Sequence, residues 1–312
     1  MSSRLPISRD PLAVFSDLVW QPDRMLYGDL VFRLEHTRSE DWQGPQHFRF
    51  FKLKGLMDDY ESFFATHASF RPRRIFELGI FDGGSAVLWY EIFHPEKLVA
   101  IDVADREDSP YFREYVRSRD LAERICTYWR VNQADKDRLR RIVAEEFDGG
   151  PDLVIDDCSH LYAPTLASFE ALFPLMSPGG LYVIEDWAWA HWPESGTLEH
   201  GWAAEQPLTD FVFKLVEAAG SSHRGLIQGL TIGAGFVVIE RGSGAIRNRA
   251  EFRLEDFIVR RPTPGLGSPA GLRHHLARFR AWASRVLPPQ TVAGRAARWL
   301  KMRLQAGRKS SP

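Results

Sequence analysis

No acidic residue follows Asp256, whereas twelve Lys and Arg lie between Arg260 and Lys309. The formal net charge of −1 therefore hides a body near −13 and a tail near +12. A basic tail on an acidic body suits an anionic surface or a solvated appendage, and nothing in it forms a nucleic-acid recognition module. Cysteine is scarce as well. Cys126 and Cys158 are too few for a disulfide framework and lack metal-site spacing, which fits a reducing compartment. No apolar run approaches the ~18 residues of a membrane span. The first residues, Met1-Ser2-Ser3-Arg4-Leu5-Pro6, have no apolar core of a signal peptide, so the expected location is cytoplasmic. The dinucleotide fingerprint G-x-G-x-x-G is also missing at the glycine loop, because no glycine follows two residues after Gly79.

What the chain does contain is an alternation of short β-branched runs and helical patterns. Strands are expected at Ile75–Ile80, Leu98–Val103, Thr127–Val131, Asp152–Asp156 and Leu181–Glu185. Helices are expected near 84–94, 110–123, 137–147, 163–176 and 208–219. Leu226–Ile232 and Phe236–Glu240, split by Gly233-Ala234-Gly235, read as a closing β-hairpin. Short loops between such units are those of a doubly wound sheet with helices on both faces. Residues 1–50 show no clear period. Residues 51–67 have helical spacing (Leu53, Leu56, Met57, Tyr60, Phe63, Phe64) that Pro72 ends. The division is thus an N-terminal arm and helix over 1–70, a lid or oligomer contact; an α/β domain over 71–245; and a basic linker and helical tail over 246–312.

Two acidic strings close two of the strands. Asp156-Asp157-Cys158-Ser159-His160 follows Leu153-Val154-Ile155, and Glu185-Asp186 follows Leu181-Tyr182-Val183-Ile184. Carboxyl ends of parallel strands face the crevice where open α/β sheets bind ligands. Carboxylates with an imidazole there suit a hard divalent cation beside a proton acceptor. Taken singly, each residue is also compatible with a solvated strand end or a helix-leading acid. The first strand leads into Glu77-Leu78-Gly79-Ile80-Phe81-Asp82-Gly83-Gly84-Ser85, a glycine loop opening a helix, where backbone amides can approach a ligand. Asp102 ends the second strand, 25 residues after Glu77, where a carboxylate accepts hydrogen bonds from ribose hydroxyls.

An acid leading into G-x-x-x-G, with Asp102 and the terminal hairpin, resembles the class I S-adenosylmethionine methyltransferases. The resemblance implies a Rossmann-like, mostly parallel seven-stranded sheet. It implies cofactor contacts from Glu77, Gly79, Gly83, Ser85, Asp102, Gln133 and Asp156. Asp156 would help place the cofactor or support its loop.

Asp-Asp-x-Ser-His, followed 28 residues after its second Asp by Glu-Asp, is similar to the metal-dependent sugar O-methyltransferases of macrolide biosynthesis (mycinamicin type) and to the rhamnosyl O-methyltransferase/cephalosporin-hydroxylase-like family. By that resemblance Asp157, Glu185 and Asp186 ligate Mg²⁺ or another divalent cation, and His160 is the general base, with Asp157 serving the chemistry as well. The expected activity is methylation of a sugar hydroxyl in a glycoside, polysaccharide or glycolipid. A catechol or phenol acceptor is the alternative enzyme, and a non-catalytic cofactor-binding scaffold in glycan assembly is the alternative of another class. Trp187, Trp189 and Trp192 read either as a substrate wall or as a packed loop. The tail's apolar stripes (Leu272, Leu276, Phe279, Val286; Val292, Ala296, Trp299, Leu300) suit packing on protein or a peripheral contact with the inner membrane face. A homo-oligomer is expected from the long N-terminal segment.

Overall fold

The computed structural model describes residues 10–35, 46–192, 204–221 and 225–260. The described residues up to Val259 belong to one compact unit. The tail stripes lie outside the described residues.

The centre is a seven-stranded sheet. In chain order its strands are β5 (Arg74–Leu78), β6 (Lys97–Ile101), β7 (Ile125–Tyr128), β8 (Leu153–Asp156), β9 (Leu181–Glu185), β10 (Ile227–Ile232) and β11 (Phe236–Arg241). Their order across the sheet is β10-β11-β9-β8-β5-β6-β7. The strands pair in parallel from β7 to β9, while β11 runs antiparallel to both β9 and β10. The fold is therefore the Rossmann-like α/β arrangement with a reversed closing hairpin. β5, β8 and β9 are buried along almost their whole length because helices cover both faces, which is why they read as continuous apolar runs.

Side chains alternate across the sheet. Ile75, Leu153, Ile155, Leu181 and Val183 enter a core shared with α3 (Gly84–Phe93), α2 (Lys54–Thr66) and the N-terminal strands. Phe76, Leu78, Val154, Tyr182 and Ile184 enter the opposite core, with α5 (Lys136–Glu146), α6 (Tyr162–Leu172) and α7 (Leu208–Gly220). Helix starts follow local chemistry: Ser109 accepts from the amide of Phe112 to cap α4 (Pro110–Ser118), and Asp135 accepts from Arg138 to cap α5.

The stretch read as irregular contains regular structure. After the short α1 (Pro11–Ser16), strands β1 (Val19–Trp20), β2 (Arg24–Tyr27), β3 (Leu30–Leu34) and β4 (Phe48–Phe50) form a four-stranded sheet. Each strand has only two to five residues, too few to display a period, and β3 pairs in parallel with the distant β4. Phe32, Phe48 and Phe50 from this sheet are buried in the same core as Trp89 and Val183. Residues near 246–259, expected as the start of a linker, also pack inward. Phe252 and Leu254 are buried, and the Leu254 amide donates to Glu170 Oε1.

Candidate active site

The glycine loop leaves β5 and turns tightly at Gly79, φ +103°, whose amide donates to the Ile101 carbonyl. A Cβ there would lie 2.1 Å from the Asp157 carbonyl oxygen, so only glycine lets the two loops pass. Gly83, φ +84°, precedes α3. Asp102 holds the loop from the neighbouring strand: Oδ2 accepts from Ile80 and Phe81, and Oδ1 accepts from Ala104. The N-terminal sheet covers the loop, because the Arg49 amide donates to Asp82 and the Arg49 guanidinium lies 4.5 Å from the Phe81 ring centre.

Glu77 is fully buried beneath this loop, with no well-formed hydrogen bond to either oxygen. Burial pushes its carboxyl up to about 8, opposed by Lys52 and the Ser85 side chain. A buried carboxylate with so little hydrogen bonding fits a ligand carrying positive charge.

Gln133 and Asp156 are also buried, on the other face of the sheet. Asp156 accepts from Gln133 Nε2 (3.1 Å), Ser168 (2.7 Å) and the Tyr182 hydroxyl (3.0 Å). Burial raises its carboxyl to about 6 despite those donors. Gln133 Oε1 accepts the Ser159 amide, so this pair ties down the loop that carries Asp157 and His160. Of the two roles expected for Asp156, loop support matches these contacts.

The acidic strings meet at the ends of β8 and β9. Period-two alternation puts Glu185 on the same face as Glu77, opposite Asp156, and one further residue brings Asp186 to the rim. His160 (φ +55°) and Asp186 (φ +52°) both occupy left-handed backbone, and the His160 carbonyl accepts from Trp189 Nε1. His160 Nε2 lies 3.9 Å from Asp157 Oδ1 and 4.0 Å from Asp186 Oδ2. One ligand atom each from Asp157, His160 and Asp186 falls within 4.8 Å of the other two, a spacing that can hold a metal ion. Burial raises the Asp186 carboxyl, while His160 opposes the rise.

Glu185 is held differently from the other two acids. Its oxygens accept from Lys52 Nζ at 2.7 and 2.6 Å, and Oε1 also accepts from the Tyr60 hydroxyl at 2.7 Å. Lys52 Nζ reaches Asp157 Oδ2 as well, at 2.7 Å. Burial alone would lower the Lys52 ammonium's pKa, yet Asp157, Glu185 and Glu77 hold it above its ordinary value. Burial, with Asp157 adding to it, raises Glu185. Neither Lys52 nor Tyr60 was expected in the site; Tyr60 had counted only as part of an apolar helical stripe. In the tryptophan segment, Trp189 is buried, Trp187 donates to the Gly233 carbonyl, and Trp192 is 41% exposed.

Residues 76–187 match the family model described as a methyltransferase domain. Among curated relatives, 8-demethyl-8-alpha-L-rhamnosyl tetracenomycin-C 2'-O-methyltransferase from Streptomyces olivaceus is 34% identical over 227 residues, 59% of this chain and 56% of that one. Demethylmacrocin O-methyltransferase from Streptomyces fradiae is 37% identical over 131 residues, 39% of this chain and 29% of that one. The chain thus matches about half the length of the first relative and under a third of the second. Among solved structures, MycE methyltransferase from the mycinamycin biosynthetic pathway, in complex with Mg, SAH and mycinamycin VI, is 29% identical. That alignment covers 63% of this chain and 53% of that one, with a TM-score of 0.47.

Proposed function

We propose that the protein is an S-adenosylmethionine- and divalent-cation-dependent O-methyltransferase whose acceptor is a sugar hydroxyl of a glycoside. The observation that carries this reading is the convergence of Asp157, His160 and Asp186 at the strand ends, with Glu185 beside them and the glycine loop opposite. The first curated relative named above supports the acceptor class, since its name gives 2'-O-methylation of a rhamnosyl tetracenomycin.

Glu77, Gly79, Gly83, Ser85 and Asp102 would hold the cofactor, which supplies an electrophilic methyl group. Glu77 would meet its positive charge and Asp102 its hydroxyls. Asp157 and Asp186, with Glu185 as the third carboxylate, would hold the cation, a Lewis acid that lowers the pKa of an acceptor hydroxyl. His160, within 4.0 Å of both rim acids, is placed to take the acceptor's proton as its oxygen attacks. The remaining acceleration is alignment: loops pinned by Gln133, Asp102 and Lys52 present the proton acceptor and the methyl site in one fixed geometry.

The test is mass spectrometry of rhamnosylated and other glycosylated polyketides incubated with labelled S-adenosylmethionine, with and without Mg²⁺. Labelled product that disappears on chelation, and in Asp157→Ala, is the expected outcome. Full turnover of Asp157→Ala in excess chelator would remove the metal from the mechanism. Cofactor binding with no transfer to any glycoside would favour a scaffold.

A further inference from the structure

The carboxylate cluster already contains a cation of its own. Lys52 lies in the connection between β4 and α2, outside the 76–187 domain match. Its neighbours Phe51 and Leu53 are 58% and 54% exposed, whereas Lys52 is 4% exposed. An ammonium so buried survives only when its charge and donors are met by acceptors. Here Asp157 Oδ2 and both Glu185 oxygens meet them within 2.7 Å. The Tyr60 hydroxyl fixes Glu185 from the other side, so its carboxylate has a single orientation.

Both acids keep capacity for a second cation. Asp157 Oδ1 faces His160 rather than Lys52, and a carboxylate has about four lone-pair sites, of which Glu185 uses three. Lys52 and an incoming ion can therefore share the cluster. Asp157, Glu185 and Asp186 contribute three formal negative charges and Lys52 returns one. Asp156 faces the opposite side of the sheet.

Resting on the metal-dependent reading above, we propose that Lys52 is a fixed countercharge that sets the valence of the ion the cluster accepts. Bonded to both acids, Lys52 makes the cluster's net negative charge one unit smaller than it would be without the lysine. Coulomb attraction scales with the product of the charges, so removing Lys52 strengthens the hold on a trivalent ion more than on a divalent one. The lysine is a positioning and specificity residue; it does not touch the reacting atoms.

The experiment compares direct binding of Mn²⁺, by electron paramagnetic resonance, with Tb³⁺, by luminescence sensitised through the nearby tryptophans. It uses the full chain as wild type, Lys52→Met and Lys52→Arg, with folding checked by circular dichroism. The expected result is a Tb³⁺-to-Mn²⁺ affinity ratio raised about tenfold or more in Lys52→Met and unchanged in Lys52→Arg. A folded Lys52→Met with the wild-type ratio overturns the proposal. Should Lys52→Met not fold, Glu185→Gln is compared with Lys52→Met/Glu185→Gln, which restores the wild-type formal charge. The proposal requires a higher ratio in the double variant than in the single one, and equal ratios overturn it. Wild type that binds neither ion overturns the metal reading itself.

Discussion

Glu77 stores an electrostatic cost in the ligand-free protein. Burial places its folded-state pKa near 8, above the ordinary 4.5, so the native state binds the proton more tightly than the unfolded chain. Its contribution to stability is present below about pH 4.5 and is lost as pH rises towards 8. Glu77→Gln should therefore flatten the fall of Tm over that window in cofactor-free protein, measured by scanning calorimetry, while weakening cofactor binding. A variant that loses cofactor affinity and keeps the wild-type pH slope would contradict the assignment. His160 needs a different substitution because its φ is +55°. Asparagine tolerates that backbone better than alanine does, so His160→Asn isolates the imidazole. Turnover should fall about 10²- to 10⁴-fold with cofactor affinity within a few-fold of wild type, read by kinetics and calorimetric titration. The rim acids and His160 were legible because each belongs to a local string at a strand end. Lys52 and Tyr60 were not, since their partners lie 105 to 133 residues away and no local pattern encodes such a contact.

Among the elements, β5 and its loop set the tolerance of the site. Alanine at Gly79 combines a φ of +103° with a Cβ 2.1 Å from the Asp157 carbonyl, so β5 and β8 loops must separate. Gly79→Ala should cost about 2 kcal/mol or more by urea unfolding and abolish cofactor binding. An unchanged unfolding midpoint would show that the loops yield easily. The parallel strands were readable because burial on both faces enforces uninterrupted β-branched runs, and the hairpin because Gly233 and Gly235 bracket its reversal. Strands β1 to β4 escaped notice for the opposite reason. Alternation runs over only five residues in β3 and three in β4, and β4 is set beside β3 by tertiary packing rather than by a turn.

For the whole molecule, the N-terminal sheet and α2 are structural members of the domain rather than an appendage. Phe32, Phe48, Met57 and Tyr60 share one core with Trp89, Ile155 and Val183. A fragment beginning at residue 71 should therefore expose that face and fail to melt cooperatively, whereas the chain through Arg260 should give a single calorimetric transition. A cooperative transition from the shorter fragment would show that the α/β part is autonomous. The connection carrying Lys52 bears on recombination between related enzymes. A chimera cut at the boundary of the domain match would receive the three carboxylates without the residue that balances them, and without the hydroxyl that orients one of them. Any graft of the site should therefore move the stretch from Phe50 to Tyr60 together with the strands it serves, as one inherited block.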